Sequence, residues 1–548
     1  MGVRFSILTG FFAIAYAYLL FHLYDVQLAS GEYYFAQAES RYFAPELLEA
    51  TRGVISFIDR DGRELPVAIN KDFPLIYAVP KAIEDPEEAA HALADAAGIP
   101  TDELVKKFSK RESQYESLVN KADTAVANAV DRLKIKGIYV VEKPKRFYPF
   151  GPLASHVLGY VGPKPEGIGA RGFYGIEKYY EGRLAGTAGE IDGTKLKPPL
   201  PGEDIALTID PNIQTEAERV LRRLVQKYSA GGGGVIVEEP RSGKILAMAA
   251  LQNFDPNEYS RADIKNFLNP MVQAIYEPGS IFKVITMAAG IDSGKITPDT
   301  TYTDRGTLTL NGRTIRNYDL DSHGPYGKVT MHEVIEHSIN TGAVFAQQAT
   351  GRDVFTEYVK NFGFGEKTGI GLPGEVEGDL KRLNPKERDI SFATASYGQG
   401  VAVTPIALVN AISAIANDGV RMRPYVNAEL SSEIVQRVVS QRTAAQVTQM
   451  MLSAVDKAGV AKVSGYSLAG KTGTAFIPDF AKGGYTDRVI NTYVGFGPTA
   501  DPRFTILVRL DDPEGAPVAA LTVVPAFREL SEFMLNYFDI PPDRITAQ

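Results

Sequence analysis

Glu277-Pro278-Gly279-Ser280-Ile281-Phe282-Lys283 opens the apolar run Val284-Ile285-Thr286-Met287-Ala288-Ala289-Gly290-Ile291. Pro-Gly closes a loop, and Ser280 begins a helix. Lys283 then falls one turn on, on the same face as Ser280. Ile281, Phe282, Val284, Ile285, Met287, Ala288 and Ala289 leave that helix almost no polar face, so it is expected to be buried all round. An ammonium in such a helix must find partners or lose its proton. Burial lowers a lysine pKa, and a neutral amine beside a hydroxyl is a general base. Ser280 also sits where the helix dipole favours developing negative charge. The stretch describes an activated serine that uses neither histidine nor aspartate. It equally describes an N-capping serine beside a lysine whose stem reaches solvent, and by itself it does not choose.

Two further elements tip the balance. Ser338-Ile339-Asn340 lies 58 residues downstream (338 − 280), at the head of a helix. Lys471-Thr472-Gly473-Thr474 follows, and residues 484–497 beyond it read as strand and hairpin. S-x-x-K, S-x-N and K-T-G are each common alone, but in this order and at this spacing they are specific.

Three other patterns are set aside. Gly465 to Thr472 matches the phosphate-binding pattern G-x4-G-K-[ST], which works only where a helix follows the loop. Here a helix starting at Lys471 would meet Gly473 at once and Pro478 within two turns. Gly167-Ile168-Gly169-Ala170-Arg171-Gly172 matches G-x-G-x-x-G, but Pro163 and Pro165 stand where a strand should, so it reads as a glycine-rich turn. His332 and His337 are five apart and do not share a helix face, so no metal site is expected of them.

Outward from this core the chain changes character near residue 205. Ile205 to Ile209 alternates like a strand, Asp210-Pro211 start a helix that runs to about Tyr228, and Val235-Ile236-Val237 and Lys244 to Ala250 read as strands. Helices fill the middle, residues 491–510 return to strands, and Leu530 to Tyr537 closes as a helix. This order suggests an α+β domain of more than 300 residues. Before it lie an acidic helical stretch, Asp85 to Lys110, Gly/Pro punctuation from Phe147 to Gly175, and a linker at Pro198, Pro199, Pro201 and Gly202.

At the N-terminus Phe5 to Leu23 is an almost unbroken apolar run. Nineteen residues at 1.5 Å each span about 28 Å, close to the hydrocarbon thickness of a bilayer. Arg4 precedes the run and Asp25 follows it, so the positive-inside bias keeps the N-terminus in the cytoplasm. A cleaved signal peptide would need a shorter apolar region and small residues before the cut, which Gln27-Leu28-Ala29 fits poorly. The expectation is an uncleaved, single-pass anchor.

The 548 residues are 44% hydrophobic and 23% charged, as in an ordinary globular protein, which excludes wholesale disorder. A net charge of −8 without a long Lys/Arg run argues against a nucleic-acid partner. The absence of cysteine excludes disulfides, thiol catalysis, Cys-ligated zinc and iron–sulfur clusters, and it fits an exported protein.

Taken together, the three motifs resemble those of the penicillin-binding proteins, specifically the class B transpeptidases of bacterial cell-wall synthesis. Arg146-Phe147-Tyr148-Pro149-Phe150-Gly151, His156 to Tyr160, Gly172 to Glu177, Tyr397-Gly398-Gln399-Gly400 with Thr404-Pro405, and Gly495 to Pro498 are similar to the family as well. The family's R-G-x-I-x-D-R-x-G element appears as Arg52-Gly53-Val54-Ile55 and Asp59-Arg60-Asp61-Gly62, two residues longer. The resemblance implies a cytoplasmic tip and transmembrane anchor (1–24), an elongated mixed pedestal (25–204) and a transpeptidase domain (205–548). That domain is expected to be an antiparallel sheet with helices on both faces plus an all-helical lobe.

The resemblance also implies roles. Ser280 attacks the D-Ala-D-Ala carbonyl of a stem peptide, Lys283 takes its proton, Ser338 relays a proton to the leaving amine, and Asn340 orients Lys283 and the donor amide. Lys471 supplies positive potential, Thr472 and Thr474 bind the substrate carboxylate beside Gly473, and the backbone N–H groups of Ser280 and Thr474 form the oxyanion hole. No cofactor or metal is implied. The acceptor is an amine of a neighbouring stem, β-lactams acylate the same serine, and a polytopic glycan polymerase and division proteins are the expected partners at the inner membrane. Asn340, the compact spacing and the short tail resemble the division (septal) type; the elongation type is the alternative. A membrane-anchored β-lactamase or a β-lactam-sensing receptor is more remote, since neither calls for this pedestal.

Overall fold

The computed structural model describes residues 2–24, 50–113, 115–165, 169–192, 195–479, 482–515 and 518–544. Helix α1 spans Gly2–Tyr24 and exposes Phe11, Phe12, Ile14 and Leu19. Among the described residues no helix is long and apolar enough to cross a membrane. The run expected to act as an anchor, 5–23, includes side chains at 5–8 and 21 that lie outside those described.

The pedestal is built on β1 (Ile55–Ile58), β2 (Glu64–Ala78), β3 (Glu116–Val119), β4 (Ile138–Phe147) and β5 (Ile205–Leu207). Their order is β3-β2-β1-β5, with β4 also paired to β2. At 15 residues, β2 is long enough to pair with β1 near its start and with β4 along Ile69–Ala78. The strand that sequence assigned to the head of the catalytic domain, β5, instead runs parallel to β1, with Ile55 opposite Ile205. The two extra residues near Arg52 fall within β1. A two-residue lengthening keeps every side chain on its face, and Asp59 then caps the turn by accepting from the N–H groups of Asp61 and Arg63. The Asp85–Lys110 stretch forms two helices, Pro86–Ala97 and Thr101–Phe108, divided at Gly98 in the left-handed region. Ile76, Leu93, Leu104, Phe108 and Val130 make a separate small core there.

One carboxylate ties the pedestal together. Glu177 is 0% exposed and receives Arg52 Nε at 2.6 Å, Arg146 Nε at 2.6 Å and the Tyr148 hydroxyl at 3.0 Å. Arg146 also donates to Gly53 O at 2.7 Å. A buried charge is tolerated only when paired in this way. The glycine-rich G-x-G-x-x-G match contributes the strand Ala170–Phe173, paired in a hairpin with Tyr160–Pro163; residues 167 and 168 lie outside those described. A stack of Tyr160 on Tyr259, 4.3 Å between ring centroids, joins the pedestal to the catalytic domain alongside Phe254 and Phe267.

The catalytic sheet contains β6 (Gly232–Glu238), β7 (Ile245–Leu251), β8 (Ala469–Pro478), β9 (Tyr485–Gly497) and β10 (Phe504–Asp511), in the order β7-β6-β10-β9-β8 and antiparallel throughout. Successive residues point to opposite faces. Val235, Val237 and Val508 pack under α2 (Pro211–Lys227) and α7 (Val523–Tyr537). Ile236, Met248 and Leu507 face the other core. Asp210 starts α2 as predicted, accepting from the N–H groups of Asn212 and Ile213, with Pro211 at the first helical position.

The second layer holds α3 (Phe282–Asp292), α4 (Asn340–Thr350), α5 (Pro405–Ala416) and α6 (Gln441–Ala458). It is not all-helical as expected. Thr301–Asp304 pairs with Gly327–Thr330, Thr307–Leu310 with Arg313–Arg316, and Val420–Met422 with Ile434–Arg437. Asn311-Gly312, both at positive φ, is the turn that closes the second of these. His332 pairs with Glu336 at 3.3 Å and His337 caps a six-residue helix, its ring against Tyr326. No group of three or more His, Cys, Asp or Glu able to hold a metal occurs among the described residues.

Candidate active site

Ser280 lies in a single 3-10 turn, Gly279–Ile281, and α3 begins at Phe282, two residues later than the sequence implied. The turn keeps Ser280 and Lys283 on one face. Every residue of α3 from Phe282 to Ile291 is buried, and Lys283 is 0% exposed. Its Nζ donates to Ser280 Oγ at 3.0 Å, to Ser338 Oγ at 3.1 Å and to the Ser338 carbonyl. These are three acceptors for three ammonium protons, so a snorkelling lysine is excluded. Ser338 adopts φ +56°, which lets its carbonyl and hydroxyl face the same amine. Such a conformation is sparsely populated for serine.

Burial, reinforced by neighbouring Lys471, holds the Lys283 amine well below the usual lysine range. Burial pushes Lys471 down to about 7. When Lys283 is neutral, its two remaining N–H bonds can stay on Ser338 while the lone pair turns to Ser280. Lys471 Nζ donates to Ser338 Oγ at 2.9 Å. The Ser338 hydroxyl thus accepts from both lysines and keeps its own proton to give away.

Lys471-Thr472-Gly473-Thr474 lies on strand β8 with no helix after it, which removes the nucleotide-binding reading. Alternation buries Lys471 and Gly473 and leaves Thr472 and Thr474 half-buried on the opposite face. A Cβ on Gly473 would stand 2.6 Å from Pro278 O, so only glycine lets the strand lie against the serine turn. Gly398 does the same from the other side: its Cβ would meet Gly279 O at 2.2 Å. The Thr474 hydroxyl donates to Asn491 Oδ1 at 3.2 Å, and Asn491 is fixed by its bond to Thr522 at 3.0 Å. Thr472 Oγ1 accepts from Lys471 at 3.3 Å and keeps its proton for an incoming carboxylate. Asn340 starts α4, but its amide donates to Arg316 O at 2.9 Å, and it makes no hydrogen bond to Lys283. The expected orienting contact is absent between these two described residues.

Sequence reasoning passed over three contributors. Glu277 accepts from Gly400 N at 2.8 Å and from the Tyr485 hydroxyl at 2.9 Å, clamping the serine turn between the loop at Gly400 and the start of β9. A lone acid beside Pro-Gly at the mouth of an apolar helix was its only signal. Asp319 lies within electrostatic reach of Lys283 and is held by the Tyr326 hydroxyl. Asn491 faces Thr474 across the ladder, a partnership set by register alone.

The model of the penicillin binding protein transpeptidase domain matches residues 233–531, and that of the penicillin-binding protein dimerisation domain matches 47–195. Stage V sporulation protein D of Bacillus subtilis (strain 168) is 33% identical over 547 residues, covering 92% of this chain and 81% of that one. Peptidoglycan D,D-transpeptidase FtsI of Escherichia coli (strain K12) is 27% identical over 570 residues, covering 99% and 93%. The crystal structure of penicillin binding protein 3 from Mycobacterium tuberculosis, complexed with aztreonam, superposes with a TM-score of 0.68 at 26% identity, covering 91% and 99%. The transpeptidase model spans more than half of the chain, and the 33% identity extends along nearly all of it: the chain belongs to the class B penicillin-binding proteins.

Proposed function

We propose that the protein is a peptidoglycan D,D-transpeptidase that works through an acyl-enzyme on Ser280. The observation that carries this reading is the 3.0 Å contact between Ser280 Oγ and the amine of wholly buried Lys283. Lys283 takes the Ser280 proton as Oγ attacks the D-Ala-D-Ala carbonyl. The oxyanion is met by the N–H groups of Ser280 and Thr474, where loss of one donor typically costs about 3–4 kcal/mol of barrier. Ser338 passes a proton to the departing D-Ala amine. The acyl group then moves to an amine of a neighbouring stem, which forms the crosslink and frees Ser280. Lys471 and the Thr472 hydroxyl hold the substrate carboxylate, and Asn340 enters only by turning from Arg316.

Residues 5–23 serve as a single-pass anchor with the N-terminus cytoplasmic, so the catalytic domain works outside the inner membrane; the apolar length of the run supports this. Asn340 in the S-x-N position and the compact motif spacing support a septal role beside a polytopic glycan polymerase.

Intact-protein mass spectrometry after incubation with a penicillin tests the chemistry. One covalent adduct, stable for minutes and absent from Ser280→Ala, is expected. Rapid turnover of the drug without a lasting adduct overturns the transpeptidase reading in favour of a β-lactamase.

A further inference from the structure

We propose that the pedestal carries a second binding site, remote from Ser280, for a compact multivalent anion bearing a phosphate or diphosphate group. A cavity of about 530 Å³ opens between the hub around Glu177 and the Tyr160–Pro163 hairpin, with Tyr259 of the catalytic domain on its rim. That volume lies within the usual range for small-molecule sites. Lys121, Lys143, Lys145 and Lys164 line it together with Arg52 and Arg146. Among the described residues the lining acid is Glu181, already held by Arg52 at 2.6 Å. So dense a positive wall runs against a chain of net charge −8.

Lys121, Lys145 and Lys164 form no ion pair among the described residues, and Lys121 Nζ donates only to Arg146 O, at 3.1 Å. Burial, then the nearby Lys145, lower the Lys121 pKa more than Asp255 raises it, so ammoniums are crowded here at a cost that an anion would relieve. Arg146 Nη2 is buried and has no hydrogen-bond partner among the described residues. Such an orphan is costly and calls for an acceptor. The lysines also indicate which anion. Arg52 and the Nε of Arg146 are already engaged by Glu177 and Glu181. Apart from Arg146 Nη2, the donors left over are strongly hydrated point charges, which suit phosphate. The donor of that phosphate is either a free diphosphate or the headgroup of a phospholipid.

The test is isothermal titration of the full chain in neutral detergent, with inorganic pyrophosphate and separately with a soluble short-chain phosphatidylglycerol. Saturable binding of pyrophosphate is expected, weakened about tenfold or more in the Lys145→Glu/Lys164→Glu double variant and weakened again by added salt. The penicillin acylation rate of that variant is expected to be unchanged, which separates this site from Ser280. Tighter binding of the phospholipid assigns the headgroup, and tighter binding of pyrophosphate assigns the free anion. No saturable binding, or equal affinity in wild type and double variant, overturns the proposal.

Discussion

Replacing Lys471 by Gln should slow acylation of Ser280 by an amount that depends on pH. The two lysines share one hydroxyl: Ser338 Oγ is 2.9 Å from Lys471 Nζ and 3.1 Å from Lys283 Nζ. Their nitrogens are thus at most about 6 Å apart. At an effective dielectric of about 20, two positive charges at that distance repel by about 2.8 kcal/mol, or about a hundredfold in proton affinity. While Lys471 is charged, it therefore helps to keep Lys283 neutral and able to accept the serine proton. Gln keeps a donor for Ser338 but removes the charge, so Lys283 holds its proton more tightly. Below about pH 7, where Lys471 is charged, the variant should acylate about a hundredfold more slowly from this cause. The deficit should shrink as pH rises through about 7, because wild-type Lys471 then loses its own charge. Stopped-flow acylation by a fluorescent penicillin between pH 5 and 9 (about two units either side of that value) reads the effect. Loss of the carboxylate anchor alone would weaken penicillin binding but leave the acylation rate at saturating drug unchanged, and that outcome would refute the coupling.

Other outcomes follow from the packing. Gly473→Ala puts a methyl 2.6 Å from Pro278 O and should cut acylation about a hundredfold for a stability loss of about 1–3 kcal/mol, read by the same kinetics and by thermal melting. Glu238 is wholly buried, one oxygen accepting from Asn410 at 2.9 Å, and burial pushes its pKa up to about 8. The native state keeps this proton while the unfolded chain releases it near 4.5, so stability should fall with rising pH between those values, by about 1.4 kcal/mol per unit. Glu238→Gln should flatten that slope and raise the Tm at pH 8; melting curves parallel to wild type would disprove it. Arg146→Ala leaves Glu177 buried and half-paired and should cost about 3–5 kcal/mol, with part regained when Glu177→Gln is added; calorimetry on the single and double variants decides.

What could be read from sequence was local. The Ser280–Lys283 pair needs only helical spacing, and the Asp210 cap and the apolar strands of the catalytic sheet need only nearest neighbours. Three features depended on residues far apart in the chain. Gly473 and Gly398 matter because separate segments press on the Ser280 turn, which no window around either glycine reveals. Asn340 turns to Arg316 because a hairpin from 307–316 folds back over α4. Ile205 to Leu207 has strand character, but nothing within it says which sheet it joins. The short ladders of the helical layer were missed because four-residue strands carry little periodic signal.

That choice of sheet has a consequence for how the chain acquires its shape. β1 and β5 are hydrogen-bonded neighbours, yet Val54 and Asp204, which meet at their head at 2.7 Å, are 150 residues apart. Closing a loop of that length precedes any reward from the pairing, so this step should come late in folding. A chain emerging N-terminus first holds β1 as an open edge until residue 207 has appeared, and open edges recruit other chains. A pedestal fragment cut at 204 would keep that edge permanently, so a soluble fragment of this protein should be carried through Leu207.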